Sequence, residues 1–146
     1  MKLYKALKLK KKLIGEISAL RSKIQEKNSY AVGSLNPDNY NVPNLYRDLN
    51  EKINSLVDLK VAINSANIGI RDKIFVLSEL KALISMLKVL PTTEGIHPGG
   101  GFRGEVDREY KAQFSEAECD AMVIGLQDRV DAMQEEIDVY NYTTAI

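Results

Sequence analysis

Apolar residues recur along residues 70–90 in steps of three and four, which is the spacing of one face of a helix. Two series of this spacing run side by side: Val76, Leu80, Leu83, Leu87 and Leu90 form one, and Ile70, Ile74, Leu77 and Ile84 form the other. Two adjacent series give a wide apolar face, which predicts contact with more than one neighbouring element. We therefore expect this helix to lie at the centre of a helical bundle.

Three further segments share the helical periodicity. The first covers about 2–27, the second about 44–67 with Asn44 as its N-cap, and the last about 115–141. The heptad phase of the second segment continues through Asn67 into the central helix, so two interpretations stay open. One is a helix end at Asn67, since Asn and the following Gly accept the left-handed conformation of a C-cap. The other is one continuous helix over 44–90.

Turn-forming residues separate these segments. Residues 28–43 and 91–114 lose the helical period and are rich in Pro, Gly and Asn. The pattern predicts an all-α protein, a long-helix antiparallel coiled-coil bundle of three to four helices with a Gly/Pro-rich loop before the last helix. At 146 residues, we expect a single helical-bundle domain over residues 1–146.

The last helix carries the most regular heptad pattern of the chain. Ser115 and Glu118 have the spacing of a capping box at its start. An unbroken four–three series follows, which we interpret as an interaction seam: Cys119, Val123, Leu126, Val130, Met133, Ile137 and Tyr140. Cys119 is expected to be a small buried apolar residue of this seam rather than a nucleophile. Together with the wide apolar face of the central helix, the seam predicts a homo-oligomer or an obligate protein partner.

Charge is unevenly distributed, although the net charge is zero. Residues 1–27 hold nine basic and two acidic residues, whereas residues 105–138 hold eleven acidic and three basic ones. Four lysines beside the first apolar stripe form a basic face: Lys5, Lys8, Lys11 and Lys12. The favoured interpretation is a solvated flank of a bundle helix that faces the acidic last helix. The alternative is a surface for phosphate or anionic lipid, and we expect no tight nucleic-acid binding.

Residues with catalytic or ligand-binding chemistry are few. Glu94 and His97 have the Glu-x-x-His spacing of di-iron bundles, but a second such pair and a helical backbone are lacking. One histidine and the distant Cys119 do not readily supply a zinc site. A candidate docking loop that could cradle an anion comprises Gly99, Gly100, Gly101, Phe102 and Arg103. A plain turn is the favoured interpretation of that loop, since no Gly-Lys-Ser/Thr ending follows.

Several short motifs resemble those of a known family. Residues 63–67 read Ile-Asn-Ser-Ala-Asn, an Arg71–Asp72 pair follows, and Asn141–Tyr142 closes the last helix. This combination is similar to a family of uncharacterised bacterial helical proteins often labelled septicolysin. The resemblance implies a helical fold and no settled function, so no functional residues are carried over from it.

The patterns together favour a non-enzymatic structural or interaction protein without cofactor, metal or small-molecule substrate. We expect it to self-associate or to dock into a larger assembly of protein subunits, in the cytoplasm or in a virion, and a bacteriophage virion component is one concrete version. One alternative is a nucleic-acid-binding helical arm that uses the basic first helix, and another is an amphipathic helical protein that acts on membranes. No transmembrane span is expected, since Lys73, Lys81 and other charges interrupt the most apolar stretch.

Overall fold

Four α-helices account for most of the residues that the computed structural model describes, which are residues 1–33, 41–100 and 106–146. The helices are α1 (Leu3–Lys27), α2 (Val42–Ala66), α3 (Arg71–Val89) and α4 (Glu116–Thr143). Two short strands, β1 (Gly95–His97) and β2 (Arg108–Tyr110), pair as an antiparallel ribbon between α3 and α4 in the chain. The all-α class predicted from the periodicity is confirmed.

The chain divides into two compact units. The first comprises Met1–Ile70 together with Val139–Ile146, and the second comprises Arg71–Asp138. The first unit therefore contains α1, α2 and the last turn of α4, and the second contains α3, the ribbon and the greater part of α4. The assignment of residues 1–146 to a single domain stays a prediction.

The first unit is built on an antiparallel pair of helices. Leu3 and Ala6 at the start of α1 pack in one apolar cluster with Ile63 near the end of α2. Further along, Lys52 of α2 donates a hydrogen bond to Glu16 of α1, with Nζ 2.6 Å from Oε2. Burial of a leucine or isoleucine side chain contributes about 1.5–3 kcal/mol. The described residues contain no buried polar or charged side chain, so apolar burial supplies most of the stability of this pair.

Helix α2 begins earlier than its sequence indicates. The side chain of Asn41 is the N-cap, and its Oδ1 accepts a hydrogen bond from the backbone N–H of Asn44 at 3.1 Å. The prediction that Asn44 is the cap is therefore wrong, since Asn44 lies inside the first turn and acts as the donor. Pro43 fits that turn because the first N–H groups of a helix have no intrahelical partner.

A tight turn joins α2 to α3. Helix α2 ends at Ala66, and one 3-10 turn over Asn67–Ile70 leads directly into α3 at Arg71. The chain therefore breaks near Asn67, as one of the two interpretations predicted. The predicted mechanism is wrong, however, because Asn67 keeps right-handed helical angles (φ −72°, ψ −10°). The helix tightens into i→i+3 hydrogen bonds instead of ending in a left-handed cap.

Both ends of the chain pair with each other in a terminal clasp, formed by residues 1–3 and 144–146. The backbone N–H of Leu3 donates to the carbonyl of Thr144 at 2.9 Å, and the N–H of Ile146 donates to the carbonyl of Met1 at 2.8 Å. These bonds form a short antiparallel bridge. The clasp keeps the start of α1 next to the end of α4 and helps to enclose the fully buried Leu3.

Tyr140 lies at the junction of α2, the 3-10 turn and α4. Its hydroxyl donates to the carbonyl oxygen of Ala66 at 2.8 Å, in a partly buried position. A Cβ atom on Gly69 would lie 2.7 Å from the same hydroxyl oxygen, which is closer than a normal contact. Close approach of the tyrosine, rather than a special backbone conformation, is therefore the reason for glycine at position 69.

In the second unit, α3 and α4 each bury one apolar stripe. The buried residues are Leu77, Leu80, Ile84 and Leu87 on α3, and Cys119, Val130 and Ile137 on α4. An ion pair between Lys73 and Glu136 joins the first turn of α3 to the last third of α4. At the start of α4, Ser115 Oγ accepts from the backbone N–H of Glu118 at 3.1 Å, which confirms the predicted cap.

We expect a strong coupling between Gly69 and Tyr140. Gly69→Ala should cost about 1–3 kcal/mol of the free energy of unfolding, because the added methyl group displaces the tyrosine hydroxyl. Tyr140→Phe alone should cost about 1 kcal/mol through the lost hydrogen bond. In the Tyr140→Phe background, Gly69→Ala should cost much less, because the nearest remaining ring atom lies 3.4 Å away. Urea unfolding of the four chains measures the coupling, and simple additivity of the two costs would contradict it.

Candidate functional site

The predicted interaction seam of α4 lies on the packed side of the helix. Cys119, Val130 and Ile137 are buried, and Cys119 is a free thiol. The other four members are half-buried: Val123, Leu126, Met133 and Tyr140. The chain itself therefore covers most of the seam, and its role in association stays a prediction.

Helix α3 exposes apolar side chains on the side opposite to its buried stripe. This α3 outer face comprises Phe75, Val76, Leu83, Met86 and Val89. Its members are between 41% and 78% exposed. At 3.6 residues per turn, the centre of the outer face lies about 130° around the helix from the centre of the buried stripe. Helix α3 thus carries two apolar faces, and the described residues cover one of them.

The periodicity of residues 70–90 included two of these side chains, Val76 and Leu83, but it did not predict that they are exposed. Val76 and Leu83 fit a series that also contains the buried Leu80 and Leu87, so the sequence placed all of them on one wide buried face. In the structure the buried face is narrower, and Val76 and Leu83 lie outside it. Helical periodicity indicates which residues share a face of the helix. It does not indicate whether a neighbouring element covers that face.

The basic face of α1 is exposed. All four of its lysines, Lys5, Lys8, Lys11 and Lys12, lie at the surface. Lys8 Nζ lies 5.7 Å from the centroid of the Tyr4 ring, within the range of a cation–π contact. Within the described residues of the first unit, Lys12 is the one member in an ion pair, with Nζ 3.7 Å from Glu16 Oε1. A pair of this kind at the surface contributes little to stability.

Glu16 is the carboxylate around which the ion pairs of the first unit are arranged. Its closest partner is Lys52 on α2, and Lys12 on its own helix is more distant. The hydrogen bond from Lys52 and the positive charges of Lys52 and Lys12 hold the pKa of Glu16 below its usual value, against a smaller opposing effect of burial. Electrostatic attraction here links α1 to α2 without a buried charge.

The candidate docking loop is only partly described. Gly99 and Gly100 are described, whereas Gly101, Phe102 and Arg103 lie outside the described residues. The backbone N–H of Gly99 donates a hydrogen bond to Asp107 Oδ1 at 3.0 Å, so a carboxylate of the chain already accepts from this amide. That contact leaves the Gly99 N–H unavailable to an added anion.

The ribbon borders an open depression of about 490 Å³, lined by residues 97–100 and by Val106, Arg108 and Tyr110. The His97 and Tyr110 rings meet edge-to-face with 5.6 Å between centroids. His97 Nε2 lies 3.0 Å from the backbone carbonyl oxygen of Glu94, so its contact is with the main chain and not with the Glu94 carboxylate. In the described part of the chain, no group of three or more His, Cys, Asp or Glu side chains is placed to hold a metal ion.

Among the described residues, no helix is both long enough and apolar enough to cross a membrane. Comparison of the chain with protein-family models, with curated proteins and with solved structures gives no match. The resemblance to the septicolysin family therefore stays a prediction that rests on short motifs. In the structure, Ile63 of the first motif lies in the same apolar cluster as Tyr140, which precedes the closing motif.

The two sides of α4 should differ sharply in their tolerance of charge. Val130→Asp places an unpaired carboxylate in a buried position and should cost about 3–5 kcal/mol. Ile124→Asp makes a comparable change at a residue that is 64% exposed, and it should cost at most about 0.5 kcal/mol. Urea midpoints at low protein concentration measure both values. Equal loss of stability in the two variants would mean that the packed side of α4 is assigned incorrectly.

Lys52→Gln should raise the pKa of Glu16 towards its usual value, because it removes the hydrogen bond that lowers it. A carboxylate whose pKa is lower in the folded state stabilises the fold above its unfolded pKa, and this contribution disappears as the pH falls through the folded pKa. The variant should therefore be less stable than the parent at about pH 7 and nearly equal to it at about pH 2. Carboxyl-carbon NMR titration of Glu16 and unfolding at both pH values test this. A stability difference that persists at acid pH would assign the effect to side-chain packing.

Proposed function

We propose that this protein is a non-enzymatic structural protein that acts by association, with further copies of itself or with other protein subunits. The observation that supports the proposal is the α3 outer face, where five apolar side chains share one exposed side of a single helix. Contiguous exposed apolar surface of this kind is typical of protein–protein contacts. A bacteriophage virion component stays the concrete version that the sequence predicts, and it adds a biological setting to the same association.

The surface that we assign to association differs from the one predicted from the sequence. The seam of α4 has the more regular heptad pattern, but three of its residues are buried and four are half-buried within the chain. A partner could bury little additional area there. The α3 outer face has the weaker pattern and the larger exposure, so it offers more free energy to a partner.

The α3 outer face can supply only a limited free energy of association. Covering one half-exposed apolar side chain contributes on the order of 1 kcal/mol, so the five together contribute about 5 kcal/mol. Association costs about 4–15 kcal/mol in lost translational and rotational freedom. The free energy gained by covering the α3 outer face alone is therefore about equal to the cost of association. Stable association requires a matching apolar face on the partner or a second area of contact.

Self-association should depend on the α3 outer face. We expect the parent chain to associate in sedimentation equilibrium, and we expect the double variant Phe75→Lys, Met86→Lys to shift the dissociation constant upwards by about tenfold or more. The physical reason is that each lysine replaces apolar area by a charge that must stay hydrated. Both parent residues are more than half exposed, so the fold of the free chain should be unaffected.

Ser78→Lys, Ser85→Lys is the matched control for this variant. It adds the same two charges to exposed positions of α3 that lie outside the outer face. This control should associate as the parent does. A parent chain that remains a single monomeric species at high concentration would contradict the proposal of self-association.

A further inference from the structure

The boundary between the two units is also a boundary of charge. The first unit has twelve basic and six acidic residues, which gives +6, and the second has eight basic and fourteen acidic residues, which gives −6. Most of this separation comes from two helices. Helix α1 carries eight basic and two acidic residues, whereas α4 carries eight acidic and one basic residue. Two copies of such a chain attract each other when the basic helix of one approaches the acidic helix of the other.

Helix α1 presents small residues and lysines on one exposed side. Lys5, Lys12, Gly15 and Ala19 are all exposed, and they lie within about 80° of one another around the helix. The lysines precede Gly15 by ten and three residues, and Ala19 follows it by four. Lys8 is also exposed and lies in the same arc, so this α1 outer face has three positive charges towards the start of the helix, followed by the small residues Gly15 and Ala19.

Helix α4 presents the same arrangement with the opposite charge and in the opposite chain direction. Ala121, Gly125, Asp128 and Glu135 are all exposed and again lie within about 80° of one another. Asp128 and Glu135 follow Gly125 by three and ten residues, and Ala121 precedes it by four. The α4 outer face thus matches the α1 outer face at these four positions when the two helices run antiparallel, with Ala132 opposite Lys8.

The described residues give no packing reason for the two glycines. Gly15 and Gly125 each lie inside a long helix, where glycine is less favourable than alanine. Neither has a positive φ angle, and a Cβ atom at either position would meet nothing within 4 Å. Glycine allows the backbone of a second helix to approach closely. A partner helix across each glycine would account for both residues.

We propose that α1 of one copy packs antiparallel against α4 of a second copy of this chain, in the register that places Gly15 opposite Gly125. This register places Lys12 beside Asp128 and Lys5 beside Glu135. The inference rests on the proposed function of self-association. It identifies the partner as a second copy of the chain, and the α1–α4 contact is the second area that stable association through the α3 outer face needs.

The four charged groups are available for this pairing. Lys12 lies 3.7 Å from Glu16, whose closer partner is Lys52 at 2.6 Å, and the side chain of Lys12 is 71% exposed. Within the described residues of their own units, Lys5, Asp128 and Glu135 have no ion pair or side-chain hydrogen bond. The neighbouring Ile124 adds exposed apolar surface that the contact would cover.

A complementary charge reversal tests the pairing. The first variant is Lys5→Glu, Lys12→Glu, and the second is Asp128→Lys, Glu135→Lys. Each variant by itself sets like charges against each other, and its dissociation constant should rise by about tenfold or more in sedimentation equilibrium. An equimolar mixture restores opposite charges at the contact between unlike copies. The mixture should therefore associate within about threefold of the parent chain.

Two control variants carry the same changes of net charge on other helices. They are Lys60→Glu, Lys81→Glu and Asp58→Lys, Glu79→Lys, all at exposed positions of α2 and α3. Mixing these controls should produce no recovery beyond their average behaviour. If both reversed variants associate as tightly as the parent, the helix pairing is overturned while self-association stands. A monomeric parent chain overturns both. If the parent chain binds duplex DNA in a salt-sensitive way, and the Lys5→Glu, Lys12→Glu chain still associates but has lost this binding, the basic face binds phosphate instead.

Disulfide trapping tests the register. A Gly15→Cys chain is mixed with a Gly125→Cys chain under mild oxidation. A disulfide between the two kinds of chain is necessarily intermolecular, and the native Cys119 is buried. Replacing the second chain by Ala132→Cys moves the thiol by about 10 Å along the same helix. We expect the Gly15–Gly125 combination to form the mixed disulfide at least tenfold faster than the Ala132 combination. Equal rates overturn the proposed register.

Discussion

The hydrogen bond from the Tyr140 hydroxyl to the Ala66 carbonyl joins three elements of the first unit at one point. It lies where α2 ends, where the 3-10 turn passes and where the last turn of α4 arrives. A Cβ atom on Gly69 would lie 2.7 Å from the same hydroxyl oxygen, so a larger residue there would have to displace the tyrosine. The terminal clasp adds backbone bonds between residues 1–3 and 144–146 beside it. Together these contacts connect the two ends of the chain to the junction between α2 and α3.

Long helices packed in pairs have a physical consequence for this chain. A helix that packs against one partner buries one stripe, and the opposite side stays at the surface. Where that opposite side is charged, as on α1, water solvates it. Where it is apolar, as on α3 at Phe75 and Met86, the exposed area favours contact with another protein. The proposed association follows from this excess of apolar faces over internal partners.

Charge and side-chain size then bear on how copies would meet. The net charge of zero is the sum of a basic first unit and an acidic second unit. This distribution favours contact between unlike units of two copies. Exposed ion pairs contribute little energy each, so they select orientation and register more than they supply affinity. Gly15 and Gly125 allow close approach along the two charged helices, and the apolar area of α3 would supply most of the free energy.

The sequence by itself determined the all-α class, the approximate helix limits and the cap at Ser115, because periodicity and capping depend on residues close in the chain. It also determined the separation of charge between α1 and α4. Only the tertiary structure decided that Asn41 caps α2, that Tyr140 requires Gly69, and that Val76 and Leu83 lie at the surface. The last two depend on contacts between residues far apart in sequence. A heptad pattern cannot supply them, because it specifies which side chains share a face and not which element covers that face.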